Sequence, residues 1–288
     1  MPEPSVYNPL GVPFIELLSV DSTNNYALTQ VHGGLAQHGM AFFTNEQVAG
    51  KGQRGKTWTS PKNTSLILSV VIDPQLSISQ QFQLSACIAV AVHEFFNHYA
   101  GRATRIKWPN DLYWNDRKAG GILIENIIGS KRADTPDNKS AKITERTVSP
   151  KPNGSDQPAT QWLWAVAGIG ININQVSFPA ELKNPVSLKQ ITGKNFEPAQ
   201  LAKELCTILD KNFKDLITNG FHDIYTSYLA CLYKKNETVR LRKNNRVFDA
   251  VIKSVSPAGE LLVEHAIEES FGFGEIEWII PASGEPEK

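Results

Sequence analysis

The chain has 288 residues, of which 41% are apolar, and its 29 basic side chains are balanced by 29 acidic ones. Domains usually contain roughly 100 to 200 residues, so we expect one main domain and a smaller appended one. A net charge of zero excludes a global field that would attract nucleic acid or an anionic membrane. No apolar run approaches the roughly 18 residues that span a bilayer, and residues 1–20 lack the basic start of a secretory signal, so we expect a cytoplasmic protein.

The cysteines and histidines argue against a metal centre or a disulfide framework. Cys87, Cys206 and Cys231 lie far apart in apolar helical patterns, with no C-x-x-C pair, and we interpret them as buried thiols. The histidines form no H-E-x-x-H motif, and the spacing of His93 and His98 places them on different sides of a helix. We expect no transition metal held by the protein itself.

Hydrophobic periodicity over residues 1–234 predicts a mixed β-sheet with helices. A strand at 14–20 is followed by a helix N-cap, Asp21 or Ser22, and a helix that begins at Thr23. Further helices are predicted over 80–99, 198–218 and 221–233. The other predicted strands lie at 40–44, 65–72, 105–108, 112–114, 121–128 and 162–172.

Residues 129–161 differ in composition from both of their neighbours. They are rich in Lys, Ser, Thr, Pro, Asn and Asp and contain almost no large apolar side chain. Such a segment cannot bury enough surface to offset the entropy lost on ordering, so we predict a mobile insertion. It interrupts two apolar strands, which suggests an elongated hairpin connection.

Residues 235–288 change in character again. Short strands are predicted at 238–241, 247–255, 261–264 and 276–280, separated by turns that contain Asn, Pro and Gly. This pattern is typical of a small β-barrel.

The loop at 50–56 reads G-K-G-Q-R-G-K and contains a G-x-G-x-x-G pattern. It does not open a helix, as a dinucleotide-binding turn must, because the following residues lead into a β-branched strand. Its glycines allow backbone N–H groups to approach an anion, and Lys51, Arg54 and Lys56 can hold phosphate oxygens. A solvated basic turn explains the same residues equally well.

A second polar constellation surrounds Pro109, which ends a predicted strand. Lys118 then precedes a glycine pair that ends at Gly121, where the absent side chains allow a ligand to approach closely. A lysine there could neutralise a carboxylate that attacks a phosphate. The alternative is a surface lysine in a hairpin turn.

The strand at 167–174 places Asn172 and Asn174 on one face. Paired amides suit hydroxyl groups such as those of a ribose, although a strand end with side chains turned to the backbone fits the same pattern.

Taken in order, these motifs resemble those of the biotin protein ligases. The segments that carry the resemblance are S-T-N at 22–24, E-Q at 46–47, the cationic loop ending at Trp58, K-W-P-N-D-L at 107–112, K-A-G-G-I-L-I-E at 118–125 and G-I-G-I-N at 168–172. The resemblance covers about residues 12 to 285 except the insertion. It implies an α+β fold over 1–234, a mixed β-sheet flanked by helices as in class II aminoacyl-tRNA synthetases, and a small Src-homology-3-like β-barrel over 235–288.

The resemblance also implies an activity. Biotin and ATP would form biotinyl-adenylate, and biotin would then pass to a lysine of a biotin carboxyl carrier protein domain. Mg²⁺ would arrive with ATP through its phosphates. Lys118 would lie between the biotin carboxylate and the α-phosphate, Asp111 would orient or deprotonate the incoming amine, and Arg54 is the third implied catalytic residue.

The same resemblance assigns the binding residues. Biotin would be bound by Ser22, Thr23, Asn24, Gln47, Gly50, Lys51, Lys118 and Gly121. The adenylate would be bound by Lys51, Gln53, Arg54, Lys56, Trp58, Asn110, Lys118 and Asn172.

The cationic loop departs from the family pattern at Lys51, Gln53 and Lys56, where arginine is common. Lysine keeps the charge without the bidentate fork, whereas Gln53 removes the charge. A lost charged hydrogen bond corresponds to roughly tenfold to a hundredfold in retention of the adenylate. We hypothesise that Lys51 and Arg54 compensate; leakage of the adenylate that Gln53→Arg suppresses would refute this.

The expected partner is a carrier domain, and the protein is expected to be a monomer or a weak homodimer. Bifunctional family members carry a DNA-binding domain of roughly sixty residues before the ligase motifs, which here begin at Asp21, so we expect no sequence-specific DNA binding. One alternative is a lipoate ligase, whose usual R-R-x-S-G-G-G-x-V loop is absent here. Another is a non-catalytic biotin- or carrier-binding protein, which Gln53 favours and the presence of Lys118 and Asp111 opposes.

Overall fold

The computed structural model describes residues 7–130 and 160–280. The first nine strands are β1 (Phe14–Leu17), β2 (Ala41–Thr44), β3 (Gly50–Lys51), β4 (Thr57–Trp58), β5 (Ser65–Ile72), β6 (Thr104–Lys107), β7 (Asp111–Trp114), β8 (Arg117–Ser130) and β9 (Thr160–Asn172). Seven of them form one sheet in the order β1-β2-β5-β9-β8-β7-β6. Only β1 and β2 pair in parallel, and the other neighbours are antiparallel, so the prediction of a mixed sheet is confirmed.

Helices cover both faces of this sheet. They are α1 (Thr23–His32), α2 (Gln81–Ala100), α3 (Leu188–Thr192), α4 (Pro198–Asn219) and α5 (His222–Ala230). α1 packs on one face through Ala27 and Val31, which contact Phe42 and Val166. α2 and α4 belong to the larger core on the other face. Since both faces are covered, all eight residues of β5 are buried, as its β-branched run predicted.

Long-range contacts changed the predicted ends of several elements. The helix predicted over 221–233 ends at Ala230 because Leu232 forms a bridge with Ile106 of β6. The backbone N–H of Ile106 donates to Cys231 O (2.8 Å), and that of Tyr233 donates to Ile106 O (2.8 Å). The strand predicted over 14–20 ends at Leu17, and α3 was not predicted at all.

Residues 238–279 form a separate five-stranded antiparallel sheet, here called the C-terminal sheet. Its strands are β10 (Thr238–Lys243), β11 (Arg246–Val255), β12 (Leu261–Glu264), β13 (Glu268–Phe271) and β14 (Glu277–Ile279), in the order β13-β12-β11-β10-β14. Sequence reasoning found all of them except β13. The described pairings leave β13 and β14 as edges, so a closed Src-homology-3-like barrel stays a prediction, as does the division into domains at residues 1–234 and 235–288.

The predicted mobile insertion falls mainly on residues 131–159, which lie outside the described residues. Its predicted borders were too wide, because Gly129 and Ser130 pair with Gln161 and Thr160 as a continuation of β8 and β9. The antiparallel pairing of these two strands agrees with the predicted hairpin connection.

Two further predictions concern the thiols and the membrane. Cys87 and Cys206 are buried as predicted, whereas Cys231 is only half-buried. Among the helices that the structure describes, none is long and apolar enough to cross a membrane.

Candidate functional site

A cleft of about 1080 Å³ lies between the seven-stranded sheet and the C-terminal sheet. The predicted site residues that line it are Ser22, Thr23, Asn24, Gln47, Lys51, Gln53, Arg54, Lys56, Trp58, Asp111, Lys118, Gly121 and Asn172. Gly50 and Asn110 are not part of its lining. The C-terminal sheet adds Arg242, Asn244 and residues 273–280, which sequence reasoning did not assign to the site.

Buried polar side chains at the N-terminus of α1 form one end of the cleft. Ser22 is the N-cap, and its hydroxyl accepts from the Asn25 N–H. The Thr23 N–H donates to Gln47 Oε1 (2.9 Å). The hydroxyl of Ser69 lies 2.7 Å from Thr23 Oγ1 and 2.6 Å from Asn24 Oδ1. Because Thr23, Asn24 and Ser69 are almost fully buried, these bonds replace the water that the groups lose on folding.

This network contains two residues that sequence reasoning did not assign. Ser69 lies on β5, whose eight residues are all buried and, apart from Ser65 and Ser69, all apolar; a polar residue inside such a strand was the available signal. Glu125 accepts from Asn24 Nδ2 (2.8 Å) and lies 3.8 Å from Lys51 Nζ. Glu125 therefore connects the end of α1 with the cationic loop.

The cationic loop forms the hairpin β3–β4 with a short turn at Gln53–Gly55. The Gln53 amide donates to Ile122 O (3.1 Å) on β8. The Arg54 guanidinium donates to Gly274 O in the C-terminal sheet. Of the three loop cations, Arg54 is thus turned to the neighbouring sheet, while Lys51 faces Glu125.

Trp58, at the end of this hairpin, packs directly on β9. A Cβ atom at Gly170 would lie 2.8 Å from Trp58 Cε2, which is closer than carbon atoms can approach. Glycine at position 170 therefore allows the indole ring to lie against the strand.

Lys118 and Asp111 form the shortest ion pair of the cleft, with 2.6 Å between Nζ and Oδ1. A second lysine, Lys107, lies 3.9 Å from Asp111 Oδ2. A Cβ at Gly121 would come within 3.2 Å of Asp111 Oδ1, so glycine keeps space beside the pair. Burial lowers the pKa of Lys107 to about 8; Asp111 opposes this shift, and Lys118 and Lys56 reinforce it. Sequence analysis placed Lys107 in the K-W-P-N-D-L segment and assigned no role to it.

The asparagine side chains use their donors on backbone carbonyls. Asn110 Nδ2 donates to Ile122 O (2.7 Å), and Asn172 Nδ2 donates to Val186 O (3.1 Å). Asn174 Nδ2 donates to Phe196 O (2.7 Å). Sequence analysis left open whether Asn172 and Asn174 bind hydroxyl groups or the backbone. Both side chains bind backbone carbonyls in the structure, and Asn172 also borders the cleft.

Within residues 7–130 and 160–280, no three His, Cys, Asp or Glu side chains lie together as ligands for a metal ion. The predicted entry of Mg²⁺ with ATP requires no such group, since phosphates would supply the ligands.

Comparison with known proteins shows what this chain is similar to. The sequence model of the Biotin/lipoate A/B protein ligase family matches residues 17–134. The bifunctional ligase/repressor BirA of Bacillus subtilis is 28% identical over 232 residues, which cover 80% of this chain and 62% of that protein. The biotin–[acetyl-CoA-carboxylase] ligase of Paracoccus denitrificans is 28% identical over 255 residues, covering 86% and 92%.

The fold is shared as well. The structure of the biotin protein ligase from Aquifex aeolicus in complex with biotin and ATP superposes with a TM-score of 0.70 at 21% identity, covering 93% of this chain and 98% of that one. The chain spans only about 62% of the length of the Bacillus relatives. The α+β fold with a mixed sheet flanked by helices is thus the one predicted, and residues 17–134 are similar to the Biotin/lipoate A/B protein ligase family.

Proposed function

We propose that the protein is an ATP-dependent biotin protein ligase. The observation that supports this most is the single cleft that holds the Lys118–Asp111 pair, the cationic loop and the buried polar network of α1. These are the three elements that an acyl-adenylate reaction needs: a site for the acid, a site for the phosphates, and a charged pair where they meet.

Biotin is assigned to the α1 end of the cleft. Ser22, Thr23 and Asn24 offer hydroxyl and amide groups that suit the ureido ring, with Gln47 beside them. Because these side chains already bind one another, their orientation is set before the ligand arrives, which reduces the entropy lost on binding. Gly121 leaves room for the ligand beside Lys118.

ATP is assigned to the cationic loop and Trp58, with Asn172 at the nucleotide end. Lys51 and Lys56 supply the charge for the phosphates, and Mg²⁺ binds with them. Gln53 cannot supply charge, and its amide instead contacts β8. Arg54 contacts Gly274 in this conformation. Lys51 is therefore the residue that first compensates for the missing positive charge at position 53.

The proposed reaction has two steps. A biotin carboxylate oxygen attacks the α-phosphorus of ATP, and the bond to pyrophosphate breaks while Lys118 neutralises the charge that develops. The carrier amine then attacks the acyl carbon, the bond to AMP breaks, and the amine proton passes to Asp111 or to water. A free lysine has a pKa near 10.4, so Asp111 would assist by orienting and deprotonating the amine.

The test is to incubate the protein with ATP, Mg²⁺, biotin and an apo carrier domain and to measure the mass of the carrier. We expect the gain of one biotin, which Lys118→Ala abolishes. Modification by lipoate instead of biotin would indicate a lipoate ligase. Binding of biotin without modification of the carrier would refute the proposal in favour of a binding protein.

The partner and the location follow from the same proposal. A biotin carboxyl carrier domain is the proposed acceptor, the protein is proposed to act in the cytoplasm as a monomer or weak homodimer, and DNA is proposed not to be a ligand. A shift of a DNA fragment at physiological salt would contradict the last point.

A further inference from the structure

Lys107 lies at the junction of the two sheets. It is the last residue of β6 and pairs with Asp111 across the turn at 108–110. Its Nζ lies 5.1 Å from the ring centroid of Trp278 in the C-terminal sheet and 5.5 Å from that of Tyr113. Only 11% of its side chain is exposed, against 36% for Lys118. Two aromatic rings from different sheets therefore hold this ammonium group by cation–π contact.

The two oxygens of Asp111 face two different lysines. Oδ1 lies 2.6 Å from Lys118 Nζ, and Oδ2 lies 3.9 Å from Lys107 Nζ. Each N–H donor of Lys118 Nζ that turns to the carboxylate and phosphate of the proposed reaction is no longer available to Asp111. When Lys118 moves to the reacting oxygens, Lys107 is the cation that remains beside Asp111.

We propose that Lys107 is a positioning residue for the acyl-transfer step: held by Trp278, it orients the Asp111 carboxylate while Lys118 engages the reacting group. This inference rests on the proposed ligase activity and adds a role for the C-terminal sheet. Trp278 does not contact the reacting atoms in this scheme, since it acts only through Lys107.

The surroundings of Lys107 make its charge sensitive to pH. Asp111, Lys118 and Lys56 are the charged groups that act on it. The neighbouring phenols of Tyr113 and Tyr233 stay neutral, because burial first and nearby carboxylates second raise the pKa of both well above its ordinary value. With a pKa of about 8, Lys107 loses its proton just above neutral pH, and Asp111 then loses its neighbouring cation.

The first experiment separates the two steps. Pyrophosphate release reports adenylate formation, and single-turnover transfer from isolated biotinyl-adenylate to the apo carrier reports the second step. We expect Lys107→Met to slow transfer by about tenfold or more, since it removes a full charge beside Asp111, with little change in pyrophosphate release. Lys107→Arg should retain most of the transfer rate. The matched control is Lys211→Met, which removes an exposed lysine paired with Glu94 on the protein surface.

The second experiment is the pH profile of transfer, which a merely structural role of Lys107 would not change. In the wild type, the rate should rise with pH as the carrier amine, whose pKa is near 10.4 when free, loses its proton, and this rise should level off near pH 8 as Lys107 loses its charge. Lys107→Arg should remove this levelling, because arginine stays protonated. Trp278→Leu should move the levelling to higher pH, because water then reaches Lys107.

The outcomes are distinguishable. Equal loss of both steps in Lys107→Met, or unchanged transfer, would overturn the inference. If Lys107→Met does not fold, the profiles of Lys107→Arg and Trp278→Leu decide: identical profiles to the wild type would overturn it. A wild-type protein inactive in both steps would refute the proposed ligase function itself, and the inference with it.

Discussion

The cleft and the C-terminal sheet contain lysine–carboxylate pairs of almost the same length in different surroundings. Lys118 and Asp111 approach to 2.6 Å beside a second lysine and a glycine that leaves space for a ligand. Lys253 and Glu264 approach to 2.7 Å across two strands, but 48% of the Glu264 side chain is exposed, against 24% for Asp111. Solvent and salt screen the second pair, so its geometry contributes little. The distance between the two charged groups of a pair therefore does not by itself indicate function. The neighbouring charges and the burial of the pair do.

Replacing one lysine from each pair tests this difference most strongly. Lys118→Met should lower the rate of adenylate formation by about a hundredfold or more, because it removes a preorganised charge at the reacting phosphate. Lys253→Met should leave both the rate and the free energy of unfolding unchanged. Pyrophosphate release and chemical denaturation measure the two quantities. Equal effects of the two substitutions would invalidate the comparison.

A second pair of substitutions compares hydroxyl groups of the two regions. Ser69→Ala removes a buried hydroxyl that contacts Thr23 and Asn24, and it should lower the free energy of unfolding by about 1–3 kcal/mol. Biotin affinity should fall with it, because the orientation of Thr23 is no longer held. Ser270→Ala, on the exposed face of β13, should change neither. Urea denaturation and biotin titration measure both effects; a stable Ser69→Ala with unchanged affinity would contradict the role of this network.

Gly170→Ala tests the contact between β9 and Trp58. The added Cβ would displace the indole ring, and we expect the KM for ATP to rise roughly tenfold while biotin affinity is retained. Steady-state kinetics with varied ATP measure this. The control is Gly129→Ala, whose Cβ would meet only the tip of the Leu163 side chain at 3.0 Å. An unchanged KM would remove Trp58 from the proposed nucleotide site.

Asp210, on α4, belongs to a third lysine–carboxylate pair, and only 13% of its side chain is exposed. Its carboxylate accepts from the Tyr7 hydroxyl (2.7 Å) and the Leu10 N–H (2.9 Å), and it pairs with Lys214. Burial alone would raise the pKa of Asp210, but the bonds from Lys214 and Tyr7 outweigh it and lower that pKa below its ordinary value. Such a group stabilises the fold above the pKa of the unfolded chain, and this stabilisation is lost as the pH falls through the folded pKa.

We therefore expect Asp210→Asn to be less stable than the wild type at pH 7 by about 1 kcal/mol. The difference should shrink as the pH falls below about 4, because the wild-type carboxylate then takes up a proton. Denaturation curves at several pH values measure this. A difference that does not depend on pH would show that shape rather than charge matters at this position.

Most of the secondary structure was predictable because it depends on local patterns. The β-branched run of β5 and the apolar spacing of α2 and α4 survive in the fold with ends shifted by about one or two residues. The end of α5 was not predictable, since it depends on the bridge between Leu232 and Ile106, which are far apart in sequence. β13 was missed, because no strand was predicted between 264 and 276 and residues 272–274 were interpreted as a turn.

The candidate site likewise has features that follow from local sequence and features that depend on long-range contacts. The sequence by itself determined which chemical groups are available in the cationic loop, the Lys118–Gly121 segment and the polar N-terminus of α1. In the structure, these three segments all border one cleft. Only the tertiary structure decided that Arg54 contacts Gly274, that Ser69 orients Thr23, and that Trp278 covers Lys107. The physical reason is that periodicity and turn chemistry act over a few residues, whereas burial and the charges that shift a pKa come from side chains brought together across the whole chain.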